Sequence, residues 1–488
     1  MSDYLHGAYG QITESGSKVS SKSKSAFVYV GTAPVHNVEG GSKNVNVPVL
    51  VSGIGEAMAK FGYSDDWDKY TLCEAMHVHM EEYGVGPLVL INVLDPAVHK
   101  AAEQGTKSLT PEKGRVVIAD AQDIIIDTLE VTGKTKGTDY TVSYDRNKKT
   151  LTLIETSSGS LGTSALAIKY NSVDASAVDA DDVIGASDGE GTNTGLYAIK
   201  NVYQLTGYIP SFLLAPGFSG TTTVNTAMCD VAKKINGHWD AWVLSDLPLV
   251  NGESQAITLS GAATYKTAQG YNKDNEKVYF PMGDGVDGKK YHLSVLAAGS
   301  LNKLLLQNDG VPYMTDSNTE CPLIGNIWMG ASNTGKLYDD QMINENLNKN
   351  GIASAAYVGG RFALWGAHCA DYEAGNAGEV NVADTNRMMM FYLSNDFQHR
   401  RARDVDKPLT ANDLKSMVSE EQARLDALVK IGALVKGEVF INAEKIPKSD
   451  VFTGDYVLTF RISTTPLAKS LTADVVWTNE GYATYFDL

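Results

Sequence analysis

Two short, almost wholly apolar runs with a helical stretch between them restrict the fold of this chain more than any other feature. Ala26-Phe27-Val28-Tyr29-Val30-Gly31 and Pro87-Leu88-Val89-Leu90-Ile91-Asn92-Val93 lack the polar alternation of a half-exposed strand, so each is expected to be buried on both faces. Between them, a helix from about Asp66 to Tyr83 would carry Met76, His79, Met80 and Tyr83 on one face. Strand, helix, strand is the repeating unit of an α/β layer. The same texture returns at Leu196, with a helix through Tyr203, a strand Ser211-Phe212-Leu213-Leu214-Ala215, a helix from about Thr223 to Asn236 and a strand Ala241-Trp242-Val243-Leu244. Further strands fit Lys277-Val278-Tyr279-Phe280 and Asn326-Ile327-Trp328-Met329. Together these predict an α/β core with a mainly parallel sheet, interrupted rather than ended between its halves.

The interruption reads as β-structure. From about Arg115 to Tyr170 the pattern alternates with period two, and Tyr140-Thr141-Val142-Ser143-Tyr144 and Thr150-Leu151-Thr152-Leu153-Ile154 flank a turn as in a hairpin. An acidic loop with Asp174, Asp179, Asp181, Asp182, Asp188 and Glu190 follows. Nearer the C-terminus, Thr410-Ala411-Asn412-Asp413 has capping-box spacing and Gly432 stands where a helix would stop. Leu414, Met417, Val418, Leu425, Leu428 and Val429 form the stripe between them. A hairpin pairing Val439-Phe440-Ile441 with Tyr456-Val457-Leu458-Thr459-Phe460 comes next. The polar, serine-rich residues 1–25 read as an arm, and Leu471 to Phe486 reads as strand without a partner strand nearby. The expected division is therefore an N-terminal arm 1–25, a core in two parts 26–95 and 196–370, a β-rich insertion 96–195, an α+β C-terminal domain 371–469 and a C-terminal arm strand 470–488.

Composition narrows the function. The 488 residues suit roughly three structural units, and 58 acidic against 41 basic side chains give a net charge of -17, a poor match for a phosphate backbone. Four widely spaced cysteines (Cys73, Cys229, Cys321, Cys369) read as reduced thiols. Met1-Ser2-Asp3-Tyr4 does not open like a signal peptide, and no run approaches the roughly 20 apolar residues of a membrane span, so synthesis in a cytoplasm is expected.

Catalytic motifs fail one by one. Gly330-Ala331-Ser332-Asn333-Thr334-Gly335-Lys336 has phosphate-loop spacing, but Leu337 stands where Ser or Thr must hold magnesium. Gly217-Phe218-Ser219-Gly220 resembles a nucleophile elbow, but Thr221 replaces its second glycine. His77 and His79, beside Glu81 and Glu82, lack the i, i+4 spacing of a zinc helix. The acidic run 174–190 lacks a calcium-loop register. Arg400, Arg401, Arg403 and Lys407, partly offset by Asp404 and Asp406, fit a local protein contact. No catalytic residue, cofactor or metal site is expected.

The order of motifs resembles the tail sheath proteins of contractile phage tails and phage-tail-like particles, over nearly the whole chain. Ala26 to Pro34 is similar to the family's opening strand and turn, and residues 194–220, with the Ala215-Pro216-Gly217 turn, resemble the start of the second part of its core. Ser245-Asp246-Leu247-Pro248, Tyr279-Phe280-Pro281, Gly325 to Asn333, Leu347 to Ile352 and Trp365-Gly366-Ala367 follow in family order. Phe280-Pro281-Met282 lacks the tryptophan often found after that proline, and Trp365-Gly366 is followed by Ala-His rather than Ala-Arg.

The resemblance implies a subtilisin-like sheath core without catalytic residues, in a subunit that polymerises with itself as stacked hexameric rings around an inner tail tube protein. Baseplate and tail terminator proteins are the further partners it implies, with no nucleic acid and no membrane insertion. It also implies that the arms add strands to neighbouring subunits through Tyr4, Tyr9, Ile12, Val475, Val476, Trp477, Tyr482, Tyr485 and Phe486. On the helix 411–431, Lys415, Arg424 and Lys430 are the expected exposed, tube-facing cations. A divergent hydrolase built on Ser219 is the rival reading, and a phage tail and a bacteriocin-like or secretion particle are equally compatible with the family.

Overall fold

The computed structural model describes residues 24–485 except 253–254, 330–333, 337, 376–377 and 443–452. Tyr4, Tyr9, Ile12 and Phe486 lie outside the described residues.

The apolar runs pair with each other first. Strand β1 (Ser25–Gly31) lies between β3 (Leu88–Asn92) and β4 (Ile209–Leu214), parallel to both, with Phe27 opposite Leu88 on one side and Phe212 on the other. The sheet continues in parallel through β5 (Trp242–Asp246), β6 (Glu276–Tyr279) and β7 (Ile352–Val358). Antiparallel strands close its two sides, β2 (Val49–Val51) on β3 and β8 (Arg361–Trp365) on β7. Every residue of β3 and β5 is buried, as expected of parallel strands covered on both faces. Helices α1 (Thr71–His77), α2 (Thr222–Val231) and α3 (Leu293–Gln307) pack on this sheet. Residues of α3 are buried all round its circumference, so it is a core helix rather than a surface one.

Residues 105–170 form two three-stranded antiparallel sheets. One has the order Gly105–Leu109, Leu166–Tyr170, Glu130–Val131, and the other Arg115–Ile118, Thr150–Glu155, Tyr140–Asp145. They share a separate apolar core that includes Val116, Ile118, Tyr140, Leu151, Leu153 and Ile168. Alternation along the edge strand puts Val116 and Ile118 inside and Val117 outside. This unit touches the larger sheet's loops through the His36 imidazole on the Gln122 carbonyl (2.9 Å) and Lys136 on Glu39 (3.1 Å).

The C-terminal unit comprises α4 (Asp384–Arg401), α5 (Ala411–Lys430) and the antiparallel hairpin β9 (Leu434–Ile441) and β10 (Leu458–Thr464). Thr410 and Asp413 form the capping box at the start of α5, and Gly432 turns the chain at φ 80° after it. Leu425 and Leu428 bury the α5 stripe against Leu434 and Val439. A Cβ on Gly437 would stand 2.9 Å from Leu425 Cβ, so the crossing of helix and strand requires glycine there.

Several expectations are corrected. The strand Leu323–Met329 is not in the parallel sheet; it pairs antiparallel with Met282–Gly285 and Thr334–Lys336. An apolar run identifies a strand but not the sheet that takes it. The helix expected from Asp66 begins only at Thr71, because Asp66–Tyr70 forms a turn, and it ends in a π-helical turn at Val78–Glu82. The helix expected through Asn236 stops at Val231, since Lys234 and Asn236 take positive φ in the turn that follows. The helix expected through Tyr203 is a 3-10 segment, Gly195–Asn201, followed by a short α-helix at Val202–Thr206. Within the acidic stretch, Ala180–Ile184 is a helical turn capped by Asp179 and Asp182 rather than loop. Residues 470–479 carry no regular secondary structure and Glu480–Thr484 is a 3-10 turn, so the C-terminal segment is not a strand in the single chain. A strand needs an edge to pair with, and among the described residues this segment is paired with none.

Candidate functional site

In a parallel α/β sheet, ligands are expected beyond the carboxyl ends of the strands. A cleft of about 560 Å³ lies there, beyond β4 and β5, lined by Gly217, Ser219, Thr221, Asp246, Pro248 and His292 among others. Its groups are committed elsewhere. The Ser219 hydroxyl is buried and accepts the Asp246 N–H at 3.1 Å. The Asp246 carboxylate accepts from the Ser294 N–H (3.0 Å) and hydroxyl, and burial raises its pKa. His292 bonds Glu74 through Nδ1 at 2.7 Å, and its own N–H donates to the same carboxylate at 2.6 Å. Burial alone would lower the His292 pKa, but the Glu74 charge and hydrogen bond outweigh it and bring it to about 9. At neutral pH this imidazolium has no lone pair with which to deprotonate a serine. Among the described residues no hydrogen bond joins Ser219 to His292. The cleft therefore lies where an α/β active site would, with its serine bonded to Asp246 and its histidine to Glu74 rather than to each other.

The remaining motifs dissolve into structure. Thr334, Gly335 and Lys336 form a strand against Leu323–Met329, so the phosphate-loop spacing runs from strand to strand rather than from strand to helix. His77 faces Glu81 (2.6 Å) and Glu82 (3.2 Å), while His79 turns inward between the Tyr29 hydroxyl (2.6 Å) and Asn302 (3.2 Å). Among the described residues, no group of three or more His, Cys, Asp or Glu side chains is placed to hold a metal ion, and no helix is long and apolar enough to cross a membrane.

The burial of His79 has a measurable consequence. Burial lowers its pKa from 6.5 to about 3, so between those values the unfolded chain takes up a proton that the folded chain refuses. Stability contributed here is present above 6.5 and falls as the pH drops toward 3. Chemical denaturation from pH 7 to pH 4 should show a shallower acid loss in His79→Gln than in the parent chain; identical slopes would refute the assignment.

The basic cluster is intramolecular. Arg400 makes two 2.6 Å bonds to Glu421 on α5, and Arg401 bonds Glu420 and Glu421. Arg424, expected to be exposed, instead turns inward and bonds Asp396 and the Tyr392 hydroxyl. Its position on α5, next to the buried face, places it over α4. Lys415 and Lys430 are exposed.

The backbone supplies the open valences. In the hairpin, the Gln422 side chain on α5 accepts the Val439 N–H (3.0 Å) and donates to the Gly437 carbonyl (2.9 Å). These groups therefore point away from β10. Val439 faces Phe460 and Gly437 faces Ile462, so antiparallel geometry sends the N–H and C=O of Phe460 and Ile462 outward on the other side. No hydrogen bond among the described residues reaches them. Beyond Lys469, whose ammonium rests on the Tyr372 hydroxyl (3.1 Å), Val475 is 90% and Trp477 76% exposed. Leu471, Val476, Tyr482 and Tyr485 are exposed beside them. The segment's apolar character was legible in the sequence, but the plug at Gln422 and the open edge at Phe460 and Ile462 were not. Their only sequence signal is the β10 alternation, which does not say which edge is covered.

Among the described residues, the subunit therefore combines an uncovered edge on β10 with an exposed apolar segment after Lys469. No protein-family profile matches the sequence. It is 27% identical to a tail sheath protein of Burkholderia phage BcepMu, with 98% of each chain covered. Its fold matches the helical sheath of the anti-feeding prophage in the contracted state, with a TM-score of 0.55, 13% identity and 97% and 99% of the two chains covered. It also matches the contracted PVC sheath complex of an extracellular contractile injection system, with a TM-score of 0.54, 12% identity and 98% and 100% covered. Over nearly its whole length the chain is thus similar to a phage tail sheath protein, and it shares its fold with the subunits of contractile sheaths.

Proposed function

We propose that copies of this chain form a contractile sleeve of stacked hexameric rings around an inner tube, and that its contraction drives the tube through a cell envelope. The observation that carries this reading is the presence in one subunit of an uncovered strand edge at Phe460 and Ile462 and an exposed apolar segment with Leu471, Val475, Val476 and Trp477. Such a segment fits an edge on a neighbouring subunit, where backbone hydrogen bonds and alternate side chains join the two chains. The residues at 1–25, with Tyr4, Tyr9 and Ile12, serve as the second arm. The core divides at 26–95 and 196–370, its insertion at 96–195 faces outward, and 371–469 couples rings to each other and to the tube through Lys415 and Lys430. Its core is a subtilisin-like scaffold without catalytic groups, and the subunit acts mechanically rather than as an enzyme.

Contraction then needs two packings of rigid cores and no hydrolysis. The arms keep rings connected while cores exchange poor contacts for better ones. The baseplate triggers the change, a terminator caps the far end, and assembly takes place in the bacterial cytoplasm. Both a phage tail and an injection particle fit. Negative-stain microscopy of the purified chain, alone and with the tube protein, should show ridged tubes wider than the inner tube. Dispersed single subunits under both conditions would overturn the proposal.

A further inference from the structure

Lys277 on β6 is fully buried, and its Nζ lies 2.6 Å from Asp316 Oδ1 and 2.6 Å from Asp384 Oδ2. Both carboxyl groups are buried as well. The Tyr279 hydroxyl donates to Asp316 Oδ2 at 3.1 Å and the Thr315 hydroxyl to Asp384 Oδ2 at 2.8 Å, while Asp384 Oδ1 has no hydrogen-bond partner. Ion pairs this far from water are costly to maintain, whereas a neutral product of the same shape is not. The triad combines a nucleophile, an electrophile held by a hydroxyl donor, and a second carboxyl group in a dry site.

We propose that Lys277 and Asp316 join in an intramolecular amide bond, with Asp384 as the proton shuttle. A nitrogen 2.6 Å from a carboxyl oxygen stands within about 3.5 Å of its carbon, the range of a near-attack arrangement. Burial raises the Asp384 carboxyl, so it enters as the acid. Burial acts to lower Lys277, but the two carboxyl groups outweigh it and hold the amine protonated, so the first step is transfer of one proton from Nζ to Asp316 Oδ1. The freed lone pair attacks Cγ of Asp316, and the Tyr279 hydroxyl stabilises the negative charge gathering on Oδ2. Asp384 donates its proton to Oδ1 and takes the second proton from Nζ. The Cγ–Oδ1 bond breaks, Oδ1 leaves as water, and the Nζ–Cγ amide remains with Asp384 again protonated. No oxidant or cofactor enters the balance. The link ties the sheet to the connection after α3, within the core that the proposed contraction moves as a rigid body.

Intact mass measurement of the full-length chain decides the matter. Amide formation lowers the mass by one water, about 18 Da, and trypsin then fails to cut after Lys277, giving a branched peptide that contains Asp316. A full sequence mass, or a lighter chain that is still cut after Lys277, overturns the proposal. In Asp384→Asn the branched peptide should disappear from the digest while the linear peptides return; its persistence would remove Asp384 from the reaction.

Discussion

Removing residues 470–488 is expected to leave a folded, monomeric chain that no longer forms sleeves. The fold should survive because the segment is exposed through Leu471, Val475, Val476 and Trp477. The contact of Lys469 with the Tyr372 hydroxyl, at the root of the arm, is retained by the truncation. Assembly should fail because the lost segment supplies both the edge hydrogen bonds and the apolar side chains of a junction. A few net hydrogen bonds at about 1 kcal/mol each, with partial burial of a tryptophan and two valines, are worth on the order of 5 kcal/mol per junction. That is roughly a thousandfold or more in association. Sedimentation should show one slow species where the parent chain forms large particles, with unchanged far-ultraviolet circular dichroism. Normal sleeves from the truncated chain would sink the arm proposal, and loss of the folded signal would show that the segment belongs to the subunit core.

What the sequence disclosed depends on how locally each feature is encoded. β1 and β3 were legible because a strand buried on both faces must be apolar at every position, and Ala26–Gly31 and Leu88–Asn92 are nearly so. The hairpin at 140–155 and the capping box at Thr410 were legible because each is closed within a few residues. The strand at 323–329 was visible as a strand, but its partners are chosen by tertiary contacts. The same limit hid the electrostatics. Arg400 and Arg401 looked partly neutralised by Asp404 and Asp406, yet Glu421 and Asp396 hold them most closely. Arg424 read as exposed because the residues around it on α5 are polar; only the position of α4 turns it inward. His292 and Glu74 are 218 positions apart, so nothing local announced that the histidine beside the cleft is an imidazolium.

Those buried charges lead to the second large effect, in the unit that carries the open edge. Glu421→Ala should destabilise that unit by about 2–3 kcal/mol, the cost of stripping the partly buried Arg400 and Arg401 guanidinium groups of their fully buried partner while Asp396, Asp404 and Glu420 remain. The Glu421 side chain is fully buried and receives Arg400 through two bonds and Arg401 through Nε at 2.9 Å. Burial pushes its pKa up, but the bonds from the two arginines outweigh that and hold it below 4.5. A depressed carboxyl contributes stability that is present above its unfolded value and is lost as the pH falls below it. The deficit of Glu421→Ala in urea unfolding should therefore be full at pH 7 and should shrink as the pH drops below 4.5. Glu438→Ala, which removes an exposed partner of Lys436, is the control and should unfold like the parent chain. Because α4 and α5 hold the hairpin through Gln422 and Leu425, loosening their clamp should also blur the β10 edge. Hydrogen exchange at Phe440 and Thr459 should quicken in Glu421→Ala before that of β3 does. Equal protection in mutant and parent would mean that the arginine clamp does not support the edge on which assembly depends.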